Sequence, residues 1–112
     1  MNEIYPQVNE CFHFDPSDPL FEDHFPGRPV IPGSLVLDCF QKAIRDRLMP
    51  QEKPLLVLAG IRNARFIRFG RPGWVEVEIS HMGVDDDRVI FSCLARQDGQ
   101  TLSSALLQYG RS

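Results

Sequence analysis

Alternating apolar and polar positions predict five β-strands. The clearest is residues 74–80, WVEVEIS, where the alternation is typical of a strand with one face buried and one in water. The other four predicted strands are residues 7–14, 55–69, 88–97 and 101–110. We expect the longest, residues 55–69, to bend at Gly60. Asp98-Gly99 is typical of a tight hairpin turn, so the last two strands are predicted to be antiparallel neighbours.

Residues 33–48 have the periodicity of an amphipathic helix. Five side chains form its apolar face: Val36, Phe40, Ala43, Ile44 and Leu48. Pro50 and Pro54 follow and cannot continue the helix. The order of one strand, a loop, one helix and four strands predicts an α+β fold, an antiparallel sheet wrapped around one helix. A chain of 112 residues is long enough for one such domain, so a single domain over residues 1–112 is expected.

The loop before this helix is unusually rich in proline and glycine. Residues 21–38 read FEDHFPGRPVIPGSLVLD. Proline fixes φ, and glycine tolerates left-handed or crowded backbone, so such a run neither continues a helix nor pairs as a central strand. We therefore expect a stiff loop that leads directly into the start of the helix.

Three groups suited to catalysis lie in this stretch. Histidine changes charge near neutral pH, which makes His24 a candidate base. The N–H groups of Gly33 and Ser34 have no partner within the helix and would stabilise an oxyanion or a polarised carbonyl. Asp38 follows a little over one turn into the helix. The residues alone leave a plainer interpretation open, because Asp38 shares a side of the helix with polar Gln41.

The sequence HFPGRPVIPG, with Asp38 fourteen positions after His24, resembles the signature of the 3-hydroxyacyl-(acyl carrier protein) dehydratases of the hot-dog fold. Residues 61–73, IRNARFIRFGRPG, resemble the strand that follows the helix in that family. The resemblance implies a hot-dog fold and the loss of water from a 3-hydroxyacyl thioester to give a trans-2-enoyl thioester. It implies no cofactor beyond the phosphopantetheine of acyl carrier protein or coenzyme A, which carries the substrate. It also implies a homodimer, in which His24 of one subunit faces Asp38 of the other.

The same resemblance implies a role for each site residue. His24 would take a proton from C2, the Gly33 N–H would polarise the thioester carbonyl, and Asp38 would hold or protonate the departing hydroxyl. The residues expected to contact substrate or orient the imidazole are Phe25, Val30 (through its carbonyl), Pro32 and Ser34. The charge pattern, rather than the resemblance, suggests that Arg28, Arg65 and Arg68 form a basic rim for an acidic carrier protein, and scattered surface charge is the plainer interpretation.

Four features depart from the family pattern. Asp38 stands where many members have glutamate, Asp23 precedes the histidine where glycine is common, Trp74 follows Pro72-Gly73 where an acidic residue is common, and the usual N-terminal segment is missing. Asp23 and the missing segment keep a catalytically silent protein open. The alternatives are a thioesterase or other thioester hydrolase, a catalytically silent acyl-binding subunit, and an acyl-sensing regulator. Thioesterases of this fold generally lack the motif of histidine, Pro-Gly pairs and acid.

Composition narrows the picture further. A net charge of −3 argues against non-specific nucleic-acid binding. No apolar run approaches the roughly 18 residues of a membrane span, and the start MNEIYPQ is unlike a signal peptide, so a soluble cytoplasmic protein is expected. Cys11, Cys39 and Cys93 are widely spaced, which predicts reduced, buried thiols and no metal site.

Overall fold

A computed structural model describes residues 5–23, 27, 29–49 and 56–111, with residues 22 and 23 as backbone only. All five predicted strands are present and form one antiparallel sheet with the order β1-β3-β4-β5-β2. The strands are β1 (Val8–Phe14), β2 (Leu56–Phe66), β3 (Gly73–Asp85), β4 (Arg88–Gln97) and β5 (Gln100–Arg111). The predicted antiparallel pairing of the last two strands is confirmed.

Two tight turns connect the last three strands. Asp98 and Gly99 join β4 to β5 with φ values of 51° and 76°. Asp86 and Asp87 join β3 to β4 with φ values of 50° and 64°, and β3 runs to Asp85, further than its alternation predicted. Two successive positive φ values match the twist of the flanking strands, so both turns favour hairpins.

One long helix, α2, crosses the inner face of the sheet. It spans Gly33–Ala43 and continues as a π-helical turn, Ile44–Leu48, which together cover the predicted residues 33–48. All five side chains of the predicted apolar face are buried. The helix packs mainly against β1, β3 and β4. This confirms the predicted α+β arrangement of one helix on an antiparallel sheet.

A short helix, α1 (Leu20–Asp23), was not predicted. The Leu20 N–H donates to the Asp18 carboxylate (3.0 Å), which satisfies one of the open donors at the helix start. Phe21 is buried, and this anchors the segment in the core. This helix has a single turn, which is too short to show a periodic pattern in the sequence.

Strand β2 lies at one edge of the sheet and contains two irregularities. The register shifts between Leu58 and Gly60, at the predicted bend. A second shift lies between Arg62, which pairs with Leu106, and Arg65, which pairs with Ser104, so one extra residue is inserted in β2. The insertion reverses the alternation of the side chains that follow it.

The cysteines are all free, and two of them are buried. Burial raises the pKa of the Cys93 thiol to about 12 and that of Cys39 to about 11, with a smaller contribution at Cys39 from the Asp38 charge. Cys11 is exposed, so the prediction that all three are buried was wrong for this residue. It lies on the face of the β1 edge strand that points away from the helix. No helix in the described ranges is long and apolar enough to cross a membrane.

Candidate active site

Most of the predicted site residues belong to the loop before α2 and to the first turns of that helix. His24, Phe25 and Arg28 lie outside the described residues, so their roles stay predictions. The end of the loop is attached to the segment that follows β2, because the Ile31 N–H donates a hydrogen bond to the Gly70 carbonyl (2.7 Å). Ile31 is almost completely buried. This attachment fixes where the helix begins.

The start of α2 presents open hydrogen-bond donors. Pro32 is the N-cap residue, with φ −60° and ψ 146°, and its side chain caps no backbone group. Its carbonyl accepts from the N–H groups of Leu35 (3.0 Å) and Val36 (3.4 Å). Within the described part of the chain, no acceptor is found for the N–H groups of Gly33 and Ser34. Those two donors and the positive end of the helix dipole face the same direction.

A pocket of about 380 Å³ opens at this helix start. Gly33, Ser34 and Val36 line it from the helix, and Ile31 lines it from the loop. Residues from the sheet complete the wall: Phe66, Arg68, Phe69, Leu102 and Ser103. The lining is mostly apolar, which suits an acyl chain better than a charged metabolite.

The segment that follows β2 is held against the pocket by hydrogen bonds. The N–H groups of Ile67 and Arg68 both donate to the Leu102 carbonyl, at 2.8 and 3.2 Å. At Gly70, a Cβ atom would lie 2.9 Å from a methyl group of Leu102, so a larger residue would displace the Leu102 side chain. These contacts place Arg68 at the pocket wall.

Gly33 lies directly beneath an aromatic ring. A Cβ atom at this position would be 2.5 Å from Cε1 and 2.6 Å from Cδ1 of Phe66. No real carbon contact is that short, so any larger residue would displace the ring or the helix start. Glycine therefore lets the ring and the open N–H group share one wall of the pocket.

Asp38 is exposed on the surface of the single chain and does not line this pocket. It lies one turn beyond Ser34 on the same side of α2. The helix thus presents the carboxylate outward, beside its polar stripe. The described residues of a single chain therefore do not include Asp38 in the pocket.

The two described arginines of the predicted basic rim are separated by the sheet. Arg68 lines the pocket at the helix start. Arg65 pairs with Ser104 and lines a shallow depression on the outer face. The inserted residue in β2 precedes both positions, so it does not cause the separation. The two arginines are three residues apart, and this odd spacing turns their side chains to opposite faces of an extended chain. A rim that contains both side chains does not form on one face.

Three residues that line the pocket were not predicted from the sequence: Phe66, Phe69 and Ser103. Phe66 lies within the ARF triplet of the family resemblance, which was a usable signal. Ser103 is a polar residue at a buried position of β5, and only the paired sheet reveals which face it occupies. A second pocket, of about 250 Å³, lies near the far end of the helix beside Gln41, Arg45 and Tyr109. It holds none of the predicted site residues.

Comparison with known proteins gives the family of this chain. The sequence profile of the ApeI-like family, described as ApeI dehydratase, matches residues 4–105. A 3-hydroxyacyl-[acyl-carrier-protein] dehydratase FabZ from Yersinia enterocolitica is 33% identical over 104 residues, covering 86% of this chain and 61% of the relative. FabZ of Yersinia pestis is also 33% identical, and 58% of its length is covered. The chain spans about three fifths of the length of these relatives.

Solved structures agree on the fold. The (R)-hydratase from A. caviae involved in PHA biosynthesis superposes with a TM-score of 0.74 at 14% identity, covering 99% of this chain and 98% of that chain. The fluoroacetyl-CoA thioesterase FlK superposes with a TM-score of 0.76 at 13% identity, covering 98% and 87%. Likeness at such low identity concerns the fold, and it confirms the hot-dog architecture. With the profile match over most of its length, the chain belongs to the ApeI-like dehydratase family.

Proposed function

We propose that this protein removes water from a 3-hydroxyacyl thioester to give a trans-2-enoyl thioester, in fatty-acid synthesis or a related polyketide-like or aryl-polyene-like synthesis. The observation that carries the proposal is the apolar pocket of about 380 Å³ at the start of α2, where the N–H groups of Gly33 and Ser34 are open. A thioester carbonyl is polarised by such donors as enolate charge develops on its oxygen. The apolar walls suit the attached acyl chain.

The proposed chemistry is one proton removal and one C–O cleavage. His24 takes the C2 proton, and the electron pair moves toward the carbonyl oxygen, where the Gly33 N–H stabilises it. Loss of such a donor typically costs about 3 to 4 kcal/mol in transition-state stabilisation. The electron pair then returns to form the double bond between C2 and C3. Asp38 holds or protonates the departing C3 hydroxyl. The proton that His24 took reaches that hydroxyl directly or replaces the one that Asp38 gave, so water leaves and both residues are restored.

We also propose that the protein forms a homodimer. Asp38 is exposed and is not among the described residues that line the pocket, so the partner's Asp38 would complete each site. Strand β2 offers an open edge, and apolar Val57 and Ile61 are 39% exposed on it. An unpaired strand edge with exposed apolar side chains favours pairing with a second copy.

An acyl carrier protein is the proposed source of the substrate. Arg68 is exposed at the pocket wall, where a phosphopantetheine arm would enter. The chain has a net charge of −3, so a local basic group is the feature that would attract an acidic carrier. The soluble cytoplasm is the proposed location.

The first experiment measures hydration of crotonyl and dehydration of 3-hydroxyacyl thioesters, on carrier protein and on coenzyme A, by enoyl absorbance. We expect His24→Ala and Asp38→Asn to lose at least about 100-fold in kcat/KM, because each removes an acid-base group. The matched controls are His13→Ala and Asp46→Asn, which alter an exposed histidine on β1 and an exposed aspartate further along the same helix. An active wild type with unimpaired His24→Ala and Asp38→Asn would refute the assigned roles. Release of free thiol without enoyl formation would instead indicate a thioesterase.

Mixing the two inactive variants tests the shared site. When His24→Ala and Asp38→Asn chains are refolded together in equal amounts, about half of the dimers are hybrids, each with one intact site. We therefore expect about a quarter of the wild-type activity to return. If His24 and Asp38 of one chain formed a site, the mixture would remain inactive.

A further inference from the structure

Ser103 is a buried polar residue in the wall of the pocket at the helix start. Its side chain is 2% exposed, and its Oγ has no hydrogen-bond partner among the described residues. It pairs across strands with Phe66 and Ala95. Paired residues share a face, and Ala95 is fully buried, so the hydroxyl lies on the inner face of the sheet.

The pocket wall runs from exposed to buried, and Ser103 belongs to its buried part. Phe66 and Phe69 are 55% and 62% exposed, and Ser34 and Arg68 are also exposed. Four residues at the opposite extreme are at most 3% exposed: Ile31, Val36, Leu102 and Ser103. Among these four side chains, Ser103 supplies the one hydroxyl. A charged carrier arm fits the exposed part, so the tail of a bound acyl group would reach the buried part.

The Phe66 ring lies between Ser103 and the open N–H groups at the helix start. The ring of Phe66 covers Gly33, and Ser103 is the cross-strand neighbour of Phe66. Paired side chains have Cβ atoms roughly 5 Å apart, so Ser103 and Gly33 lie on two sides of the Phe66 ring in one pocket. If the thioester carbonyl binds at Gly33, an acyl tail that passes this ring would reach Ser103.

We propose that Ser103 is a specificity-determining residue whose hydroxyl donates a hydrogen bond to an oxygen atom on the acyl tail, beyond the reacting carbons. The preferred substrate class is then an oxygenated acyl thioester, such as one with a ketone or hydroxyl further along the chain. This inference rests on the proposed function for the placement of the thioester. A buried hydroxyl without a partner is unfavourable, and a ligand oxygen would satisfy it.

Binding of ligands that cannot react tests the proposal. We would measure Kd by calorimetry for two pantetheine amides with acyl chains of equal length, one of which carries a ketone oxygen beyond C3. Wild-type protein should prefer the ketone ligand. In Ser103→Ala, that preference should fall by about five- to tenfold, the contribution of one neutral hydrogen bond, while affinity for the plain ligand stays the same. Moving the ketone along the chain would locate the carbon nearest to Ser103.

Ser104→Ala is the matched control, because Ser104 is the next residue of β5 and lines the outer-face depression with Arg65. It should keep the wild-type preference. An equal preference in wild type and Ser103→Ala, or no binding of either ligand, would overturn the proposal. Ser103-dependent selectivity in a protein that fails to dehydrate 3-hydroxyacyl thioesters would support the inference and refute the proposed reaction. Turnover of plain thioesters, without any preference for the ketone ligand, would support the proposed reaction and refute the inference about Ser103.

Discussion

At the scale of single residues, the contact between Gly33 and Phe66 is the tightest constraint on the pocket. Gly33→Ala would place a methyl group 2.5 Å from the Phe66 ring. Overpacking of this kind costs about 1 to 3 kcal/mol, and alanine returns up to about 1 kcal/mol through its higher helix propensity. We expect a net loss of about 1 kcal/mol in the free energy of unfolding and at least a tenfold loss of kcat/KM.

A double-mutant cycle separates the steric cause from other effects. Phe66→Leu removes the ring atoms that clash, so the double variant Gly33→Ala/Phe66→Leu should be more stable than the sum of the single changes by about 1 kcal/mol. Urea denaturation of the four proteins measures this coupling. Additive free energies would show that the ring does not restrict Gly33.

The cysteines give a second prediction at this scale. The thiolate is the reactive form, and burial raises the pKa of Cys39 to about 11 and that of Cys93 to about 12. Both buried thiols therefore stay protonated at pH 8, whereas Cys11 is exposed. We expect one equivalent of a disulfide reagent to react quickly in native protein and three in urea. In Cys11→Ser, the fast reaction should disappear; a fast thiol that remains would contradict the described burial.

At the scale of elements, the inserted residue in β2 decides which side chains face the pocket. Ile61 pairs with Leu107, a fully buried residue, and so faces inward. Strict alternation from Ile61 would turn Phe66 outward and Arg65 inward. The extra residue reverses this, so Phe66 reaches the pocket and Arg65 the outer face. Asn63 lies in the insertion with φ 54°, a conformation that asparagine tolerates better than most residues.

Substitution of Asn63 tests the insertion. Asn63→Val should lower the free energy of unfolding by about 1 to 2 kcal/mol, because a β-branched residue is strained at positive φ, whereas Asn63→Gly should leave it nearly unchanged. Ala64→Val is the control, because Ala64 is the next residue in the chain and does not have a positive φ. Urea denaturation compares the three variants. Equal stability of Asn63→Val and wild type would show that this backbone conformation does not form.

At the scale of the whole molecule, the open edge of β2 determines the assembly that we propose. Ile61→Lys places a charge on the inward face of that edge, where it would oppose pairing with a second copy. We expect a folded monomer by analytical ultracentrifugation and circular dichroism, with loss of turnover because the shared site cannot form. Trp74→Lys is the control: Trp74 is 64% exposed, against 39% for Ile61, and lies near the opposite edge beside His13. A dimer that persists in Ile61→Lys would place the interface elsewhere.

Periodicity and turn chemistry in the sequence determined most of the fold. The alternation of β3, the Asp98-Gly99 turn and the five-residue apolar face of α2 each follow from local geometry, and each is confirmed. The proline- and glycine-rich loop also located the start of α2. Such features depend on neighbours along the chain, so one sequence is enough to detect them.

Only the tertiary structure decided what surrounds the helix start. Phe66 and Ser103 come from different strands and line the same pocket as Gly33. Phe66 faces this pocket because an inserted residue shifts the register of β2 against β5. The same shift turns Arg65 to the outer face of the sheet. A register shift follows from the pairing of two strands about forty residues apart, and no local pattern records it. The sequence therefore determined the helix start and its open donors, whereas packing between distant strands determined the pocket that they face.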